Sequence, residues 1–235
     1  MAMVHLAVNG KRFPGIKGIA WDKDGVIDNS QRNHATVEAA LCKELGVMIN
    51  PTEISRRFSG MNTKEVFRII LAEGEVHLTS SELDDLLERK WAQILTSSEP
   101  IVQIPGSVEL IQLFYSNGIL QTVASSSRRA FIEKCLKALE VERYFVATVA
   151  GEEVSKGKPA PDIFLKASKL MNVHPENCLV IEDGVSGVIA AQAAGMRVIF
   201  LGTPRDDIRP DAFISSLDQI TIEEIEGGYS HIYSG

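Results

Sequence analysis

The chain has little with which to staple or anchor itself. Only three cysteines occur in 235 residues, Cys42, Cys135 and Cys178. They are odd in number and widely spaced, which argues against a disulfide or zinc framework and suits reduced thiols in a cytosol. Each reads as a core filler. No apolar run reaches the ~18 residues of a membrane span, and the leading segment MAMVHLAVNGKRFPG is too short and polar for a signal peptide. No Lys/Arg run exceeds a doublet, and 24 basic against 31 acidic residues leave a formal charge of −7. Backbone binding to nucleic acid needs a basic stripe and is therefore excluded. The expectation is a soluble, cytoplasmic protein without a nucleic-acid or membrane partner. A small anionic substrate remains open if the site brings its own cation, and the composition is silent on oligomeric state.

What is present is ordinary for a globular protein: 45% hydrophobic and 23% charged residues, enough for one large core or a core with a smaller inserted module. Asn9-Gly10 between HLAV and KRF resembles a two-residue hairpin turn, although a flexible leader fits the segment equally well. GIAWD, residues 18–22, is an apolar run too short for a helix, and Gly25 after it permits a sharp turn. Residues 31–98 then show helical periodicity only, punctuated at Gly46, Pro51 and Gly74. An insertion of this length is more than a loop.

After Pro105-Gly106 strands and helices alternate. Strands are expected over ILQTVAS, YFVATVA, CLVIED and RVIFLG, and helices over SVELIQLFYSNG, RRAFIEKCLKALE, Pro159 to Met171, and GVSGVIAAQAAG. That alternation predicts an α/β fold: a parallel sheet covered by helices on both faces, made of residues 1–30 and 99–235, with residues 31–98 as an inserted helical domain. Ligands of such sheets bind beyond the C-terminal strand ends. The polar residues that fall there are Asp22, Ser125 and the pair Glu182-Asp183.

Asp22 and Asp24 stand two apart at a strand end, so their side chains can lean to one side. Two bare carboxylates repel unless something positive lies between them. Mg²⁺ meets that need, and Asp183 from another strand end offers a third oxygen. Lys158 adds a fixed positive charge. With the phosphoryl oxygens neutralised, Asp22 can attack a phosphate in line to form an aspartyl phosphate. Asp24, protonated on approach, can serve the leaving oxygen and later take a proton from water. The Ser125 hydroxyl and the Ser126 backbone N–H are donors for the phosphoryl group.

Taken in order, Asp22-Lys23-Asp24-Gly25-Val26, Ser125, Lys158-Pro159 and Glu182-Asp183 resemble the four motifs of the haloacid dehalogenase superfamily. The branch is the one with a helical cap after the first strand, which contains phosphoglycolate-phosphatase-like enzymes and β-phosphoglucomutase. The resemblance covers roughly residues 18–201. It implies a Rossmann-like core with a helical cap domain, Asp22 as nucleophile and Asp24 as general acid/base. It also implies Mg²⁺ on the Asp22 side chain, the Asp24 carbonyl and Asp183, with Glu182 in support. One departure stands in the hinge: where the family has Asp-Ser, this chain has Asn29-Ser30, with Asp28 one residue earlier.

The resemblance further implies a hydrolase acting on a small phosphomonoester, a sugar phosphate or a phosphoglycolate-like metabolite, through an aspartyl phosphate. A hexose phosphomutase is the alternative. In the cap, His34, Asn62 and Lys90 are candidates for substrate contacts. Against this, His34 also fits a hinge position, and Lys90 lies in the charged run ERKW, the usual setting of a solvated lysine. The arginine with which a phosphomutase cap grips a second phosphate is Thr63 here, within SGMNTKE, which favours hydrolysis. Phe58, Met61 and Trp91 read as cap packing. A receiver-like phosphoacceptor switch shares such an acidic pocket but lacks the helical insertion.

Overall fold

The structure, a computed structural model, describes residues 3–226 and 229–234. Its centre is a six-stranded parallel sheet. In chain order the strands are β3 (Gly18–Trp21), β4 (Leu120–Ala124), β5 (Ala147–Val149), β6 (Cys178–Glu182), β7 (Arg197–Leu201) and β8 (Ala212–Ile214), and in space they run β5-β4-β3-β6-β7-β8. The chain steps outward from β3 through β4 to β5, then returns to the other side of β3 for β6. Strand order therefore reverses at β3, the place where an open α/β sheet leaves a crevice for ligands. Trp21 aligns with Val123 on one side and Ile181 on the other. The residues that follow these three are thus brought together at one edge.

The helices α5 (Ser107–Ser116), α6 (Arg129–Ala138), α7 (Asp162–Met171) and α8 (Val185–Ala193) connect these strands. Strands buried on both faces need continuous apolar runs, and β6 has one: all five of its residues are buried. Two apolar clusters result. One gathers Ile19, Trp21, Ile111, Phe114, Leu179 and Ile181, and the other gathers Ala20, Phe164, Val180, Val188 and Val198.

Residues 31–98 form four helices, α1 (Gln31–Glu44), α2 (Pro51–Phe58), α3 (Thr63–Glu73) and α4 (Ser80–Thr96). The starts of α2, α3 and α4 are fixed by side chains that satisfy the free amides of a first turn. Asn50 accepts from the Thr52 N–H with Pro51 behind it, and Thr79 and Glu82 make a reciprocal capping box. The four helices enclose a separate core around Leu41, Phe58, Phe67, Ile70 and Leu86. A smaller cluster of Trp91, Ile94, Phe131 and Cys135 joins α4 to α6.

Two expected elements come out shorter. YFVATVA yields only β5, because residues 142–144 form a 3₁₀ turn first, and the helix expected from Pro159 begins at Asp162. The leading segment is a hairpin, β1 (Met3–Val8) and β2 (Lys11–Phe13), with Asn9 and Gly10 both at positive φ in its turn. It belongs to a second, antiparallel sheet of order β10-β9-β1-β2, completed by β9 (Ile220–Glu226) and β10 (Tyr229–Ser234). The alternation reading did not reach these C-terminal strands. Leu6, Val8, Phe13, Ile220 and Ile222 pack into the same apolar cluster as Trp21 and Ile181, so the hairpin is part of the main core. Phe13→Ala should therefore lower the unfolding free energy by about 3–5 kcal/mol, the cost of a buried phenyl and its cavity, as read from urea denaturation; a dispensable leader would show no change.

Candidate functional site

Asp22 begins the loop after β3. Its N–H donates to the Ile181 carbonyl at 3.0 Å, continuing the ladder to β6 for one more residue. This fixes the carboxylate beside the end of β6, where Glu182 and Asp183 emerge. Lys158 reaches in from the loop before α7 and donates to Asp22 Oδ1 at 2.5 Å and Glu182 Oε2 at 2.7 Å. Asp22 Oδ2 is buried and has no hydrogen-bond partner. One oxygen of the acid is held by a lysine and the other is left bare.

The turn from Asp24 to Asp28 brings the second aspartate round. Gly25 has φ +94°, and a Cβ there would lie 2.2 Å from Asp183 Oδ2, so only glycine lets the two acidic loops approach. Gly187 has the same duty under Glu182, whose Oε2 would sit 1.9 Å from an added Cβ.

Asp24 is held from several sides. Ser125 and Ser127 donate hydroxyls to its Oδ2 at 2.9 and 2.8 Å, and the Ser30 hydroxyl donates to Oδ1 at 2.5 Å. Lys23 donates to Oδ1 at 2.6 Å. Burial alone would raise the Asp24 carboxyl, but the Lys23 ammonium outweighs it and holds the group well below the usual carboxylate range. The sequence reading expected Asp24 to approach protonated, whereas these partners hold the carboxylate, the form that can take a proton from water.

Lys23 is the residue that sequence reasoning passed over. It is fully buried, and beyond Asp24 it donates to both oxygens of Asp28 at 3.2 and 3.0 Å while lying 4.4 Å from the centre of the Phe131 ring. Burial would lower this ammonium, yet Asp24 and Asp28 reverse the effect and raise it. Asp28 is thus the counter-ion of Lys23. The available signal was a charge at both positions of one short turn, Lys23 and Asp28, where an apolar pair would bury more easily.

The other expected residues fall as follows. Ser125 Oγ accepts from the Ser127 N–H at 3.0 Å and so orients the serine turn. The Ser126 hydroxyl goes to the Gly60 carbonyl of the cap at 2.9 Å, and it is Ser127 that reaches Asp24. His34, on α1, points Nε2 at Asp24 Oδ1 from 3.4 Å with no hydrogen bond made, and stacks edge-on with Trp91 and Phe131. Burial and the nearby Lys90 ammonium push its pKa down to about 4, so it is neutral. Lys90 is not solvated; it is 1% exposed, because the α4 face that carries it packs against α1 and α3. Asn62 caps α3 by accepting from the Lys64 N–H at 2.9 Å and lines an adjoining cavity between cap and core together with Thr63, Ser126 and Arg128. Arg128 spans from the core to the cap, donating to Glu88 at 2.8 Å.

Cap and core meet over this edge. The Gln31 amide donates to Asp183 Oδ2 at 2.7 Å, to the Asp24 carbonyl at 3.2 Å and to Ser59, and Ser186 donates to the Ser59 carbonyl at 3.1 Å. The cleft between them is lined by Asp22, Asp24, His34, Glu38, Phe58 and Ser127, among others.

Oxygens of Asp22, Glu182 and Asp183 lie within 4.8 Å of one another. Burial, with the negative charge of Glu182 added, pushes Asp22 up to about 8 despite Lys158, and drives Asp183 up as well. An all-oxygen cluster with a bare buried carboxylate oxygen and acids under mutual repulsion fits a hard divalent cation.

Comparison with known proteins decides the family. A haloacid dehalogenase-like hydrolase model matches residues 16–195. The chain belongs to that family. β-Phosphoglucomutase of Bacillus subtilis is 29% identical over 213 residues, 88% of this chain and 93% of that protein. The 6-phosphogluconate phosphatase of Escherichia coli is 25% identical over 79% of this chain and 82% of its own length. Among solved structures, β-phosphoglucomutase of Clostridium difficile superposes with a TM-score of 0.76 at 25% identity, covering 87% of this chain and 92% of the other. The relatives named here are a phosphomutase and a phosphatase by name, and this chain shares their family as a haloacid dehalogenase-like hydrolase.

The raised acids set a pH dependence. An acid held at about 8 in the folded chain and near 4 when unfolded binds more protons folded, so Asp22 removes stability as pH rises through that interval. His34 works the other way, but only between its folded value of about 4 and its ordinary 6.5. Metal-free protein should therefore lose thermal stability from pH 6.5 to 8, with Mg²⁺ restoring more of it at pH 8 than at 6.5. Scanning calorimetry checks this, and Asp22→Asn should flatten the slope.

Proposed function

We propose that this haloacid dehalogenase-like enzyme is a Mg²⁺-dependent phosphatase that hydrolyses a small phosphomonoester through a phosphoryl group carried on Asp22. The observation that carries this reading is the bare, buried Asp22 Oδ2 at the strand-order reversal, with its other oxygen fixed by Lys158. A nucleophile held by one oxygen and open at the other can offer that second oxygen to an incoming phosphorus.

The side chains of Asp22, Asp183 and Glu182 and the carbonyl of Asp24 are the groups that would hold the cation. When bound, it supplies charge neutralisation at the phosphoryl oxygens. Lys158 adds a second positive group on the Asp22 side, and Ser125 offers a hydroxyl at the serine turn. Asp24 is placed to move protons: released from Lys23 on substrate entry and taking up a proton from solvent, it can pass that proton to the ester oxygen in the first half-reaction, and the carboxylate so regenerated draws a proton from the attacking water in the second. The Ser59–Gly60 and Gln31 contacts close the cap over these groups and keep bulk water out.

Hydrolysis is favoured over phosphoryl shuttling because a mutase must hold a second phosphate, and among the described residues none that lines the cleft is Lys or Arg. The likeness to β-phosphoglucomutases of two bacteria, together with His34 and Lys90 in the cap, supports the second reading, a hexose phosphomutase. With Mg²⁺, the enzyme should release inorganic phosphate from small phosphomonoesters, and Asp22→Asn should cut the rate by at least about a thousandfold. Conversion of β-glucose 1-phosphate to glucose 6-phosphate without phosphate release would establish the mutase instead.

A further inference from the structure

Glu38 is a carboxylate buried in the cap, 5% exposed, on the wall of the cleft that faces the catalytic acids. Its surroundings there include Ile54, Phe58 and Val66. An acid in such a place needs a reason, since burial disfavours its charge. Its partner is Lys90, whose Nζ lies 3.4 Å from Glu38 Oε1, donates to Thr63 Oγ1 at 3.1 Å and sits 3.8 Å from the centre of the Trp91 ring. The ammonium is therefore fully engaged inside the cap. Whichever partner holds the proton, the pair has no net charge.

Resting on the phosphatase reading above, we infer that Glu38 is a specificity-determining residue: by neutralising Lys90 it makes the leaving-group end of the cleft a site for uncharged polyols. A leaving group bearing a carboxylate or a second phosphate would meet a buried acid and no free cation, which costs far more than it does in water. Hydroxyls suit the same surface, because Glu38 and Thr63 offer acceptors and Thr63 a donor. This selects monophosphates of sugar alcohols and neutral sugars over phosphoglycolate-like acids and bisphosphates. Discrimination then comes from repelling the wrong charge as well as from contacts to the right one.

The test compares matched substrates that differ only by CH₂OH against carboxylate: glycerol 3-phosphate with 3-phosphoglycerate, and sorbitol 6-phosphate with 6-phosphogluconate. p-Nitrophenyl phosphate serves as a reference for the reacting groups. Wild type should prefer the neutral member by about tenfold or more in kcat/KM, the effect of one unfavourable charge contact. Glu38→Gln frees the ammonium and should shrink that preference about tenfold, through KM for the anionic member. Lys90→Met leaves the acid alone and should widen it. Both variants remove half of one buried pair, so a merely structural role would move the preference the same way in both. Equal kcat/KM for the two members in wild type, or a shift of the same sign in both variants, overturns the assignment of Glu38. No phosphate release from any substrate, p-nitrophenyl phosphate included, removes the phosphatase reading and this inference with it.

Discussion

Everything at the sheet edge follows from crowding carboxylates where water cannot screen them. Asp22, Asp24, Asp28, Glu182 and Asp183 meet there, and two fully enclosed lysines, Lys23 and Lys158, stand between them. A buried ammonium is tolerable only when carboxylates surround it, and buried carboxylates only when a cation does. The lysines divide the work. Lys158 serves Asp22 and Glu182, whereas Lys23 serves Asp24 and Asp28. What is left over is an excess of negative charge on the Asp22–Asp183 side, seen in the raised affinity of both acids for protons. That excess is what a divalent cation would answer, and it gives the fold a site that is incomplete without a ligand.

The two aspartates of one short turn are therefore unlike each other for electrostatic reasons. Asp22 shares its lysine with Glu182 and remains short of positive charge, while Asp24 has Lys23, three hydroxyl donors and a neutral imidazole nearby. Environments that push two neighbouring acids in opposite directions suit one to bind metal and phosphorus and the other to handle protons. The glycine at position 25 is the geometric condition for this: without it the turn could not bring Asp24 back past Asp183.

Sequence patterns carried the sheet, the helical insertion and the acids at strand ends, because each has a local cause. Asp22, Ser125 and Glu182 all sit where an apolar run stops, and apolar runs are legible. Lys158 came from its place in the motif order. The misses have a common cause of another kind. Lys90 reads as solvated in ERKW because nothing nearby in sequence shows Glu38, Thr63 and Trp91 closing round it from three parts of the cap. Lys23 was invisible in the same way, although its partner Asp28 is only five residues on, since the meaning of that spacing depends on the turn at Gly25. The second sheet was missed because β9 and β10 pair with a hairpin at the far end of the chain, so their contacts are as non-local as the chain allows.

The cap does more than cover the edge. Gln31, the first residue of its first helix, donates to Asp183 Oδ2 and to the Asp24 carbonyl, two of the oxygens proposed for the cation. The same amide reaches Ser59 in the loop that also contacts Ser126 and Ser186. Movement of the cap away from the core would thus remove hydrogen bonds from the oxygens proposed for the cation at the moment it opens the cleft. Charge at the edge and position of the cap act on one set of atoms. Few devices are needed beyond that to tie substrate entry to the state of the acids, because the Gln31, Ser59 and Gly60 links from the cap end on the residues proposed for the chemistry or on their immediate neighbours.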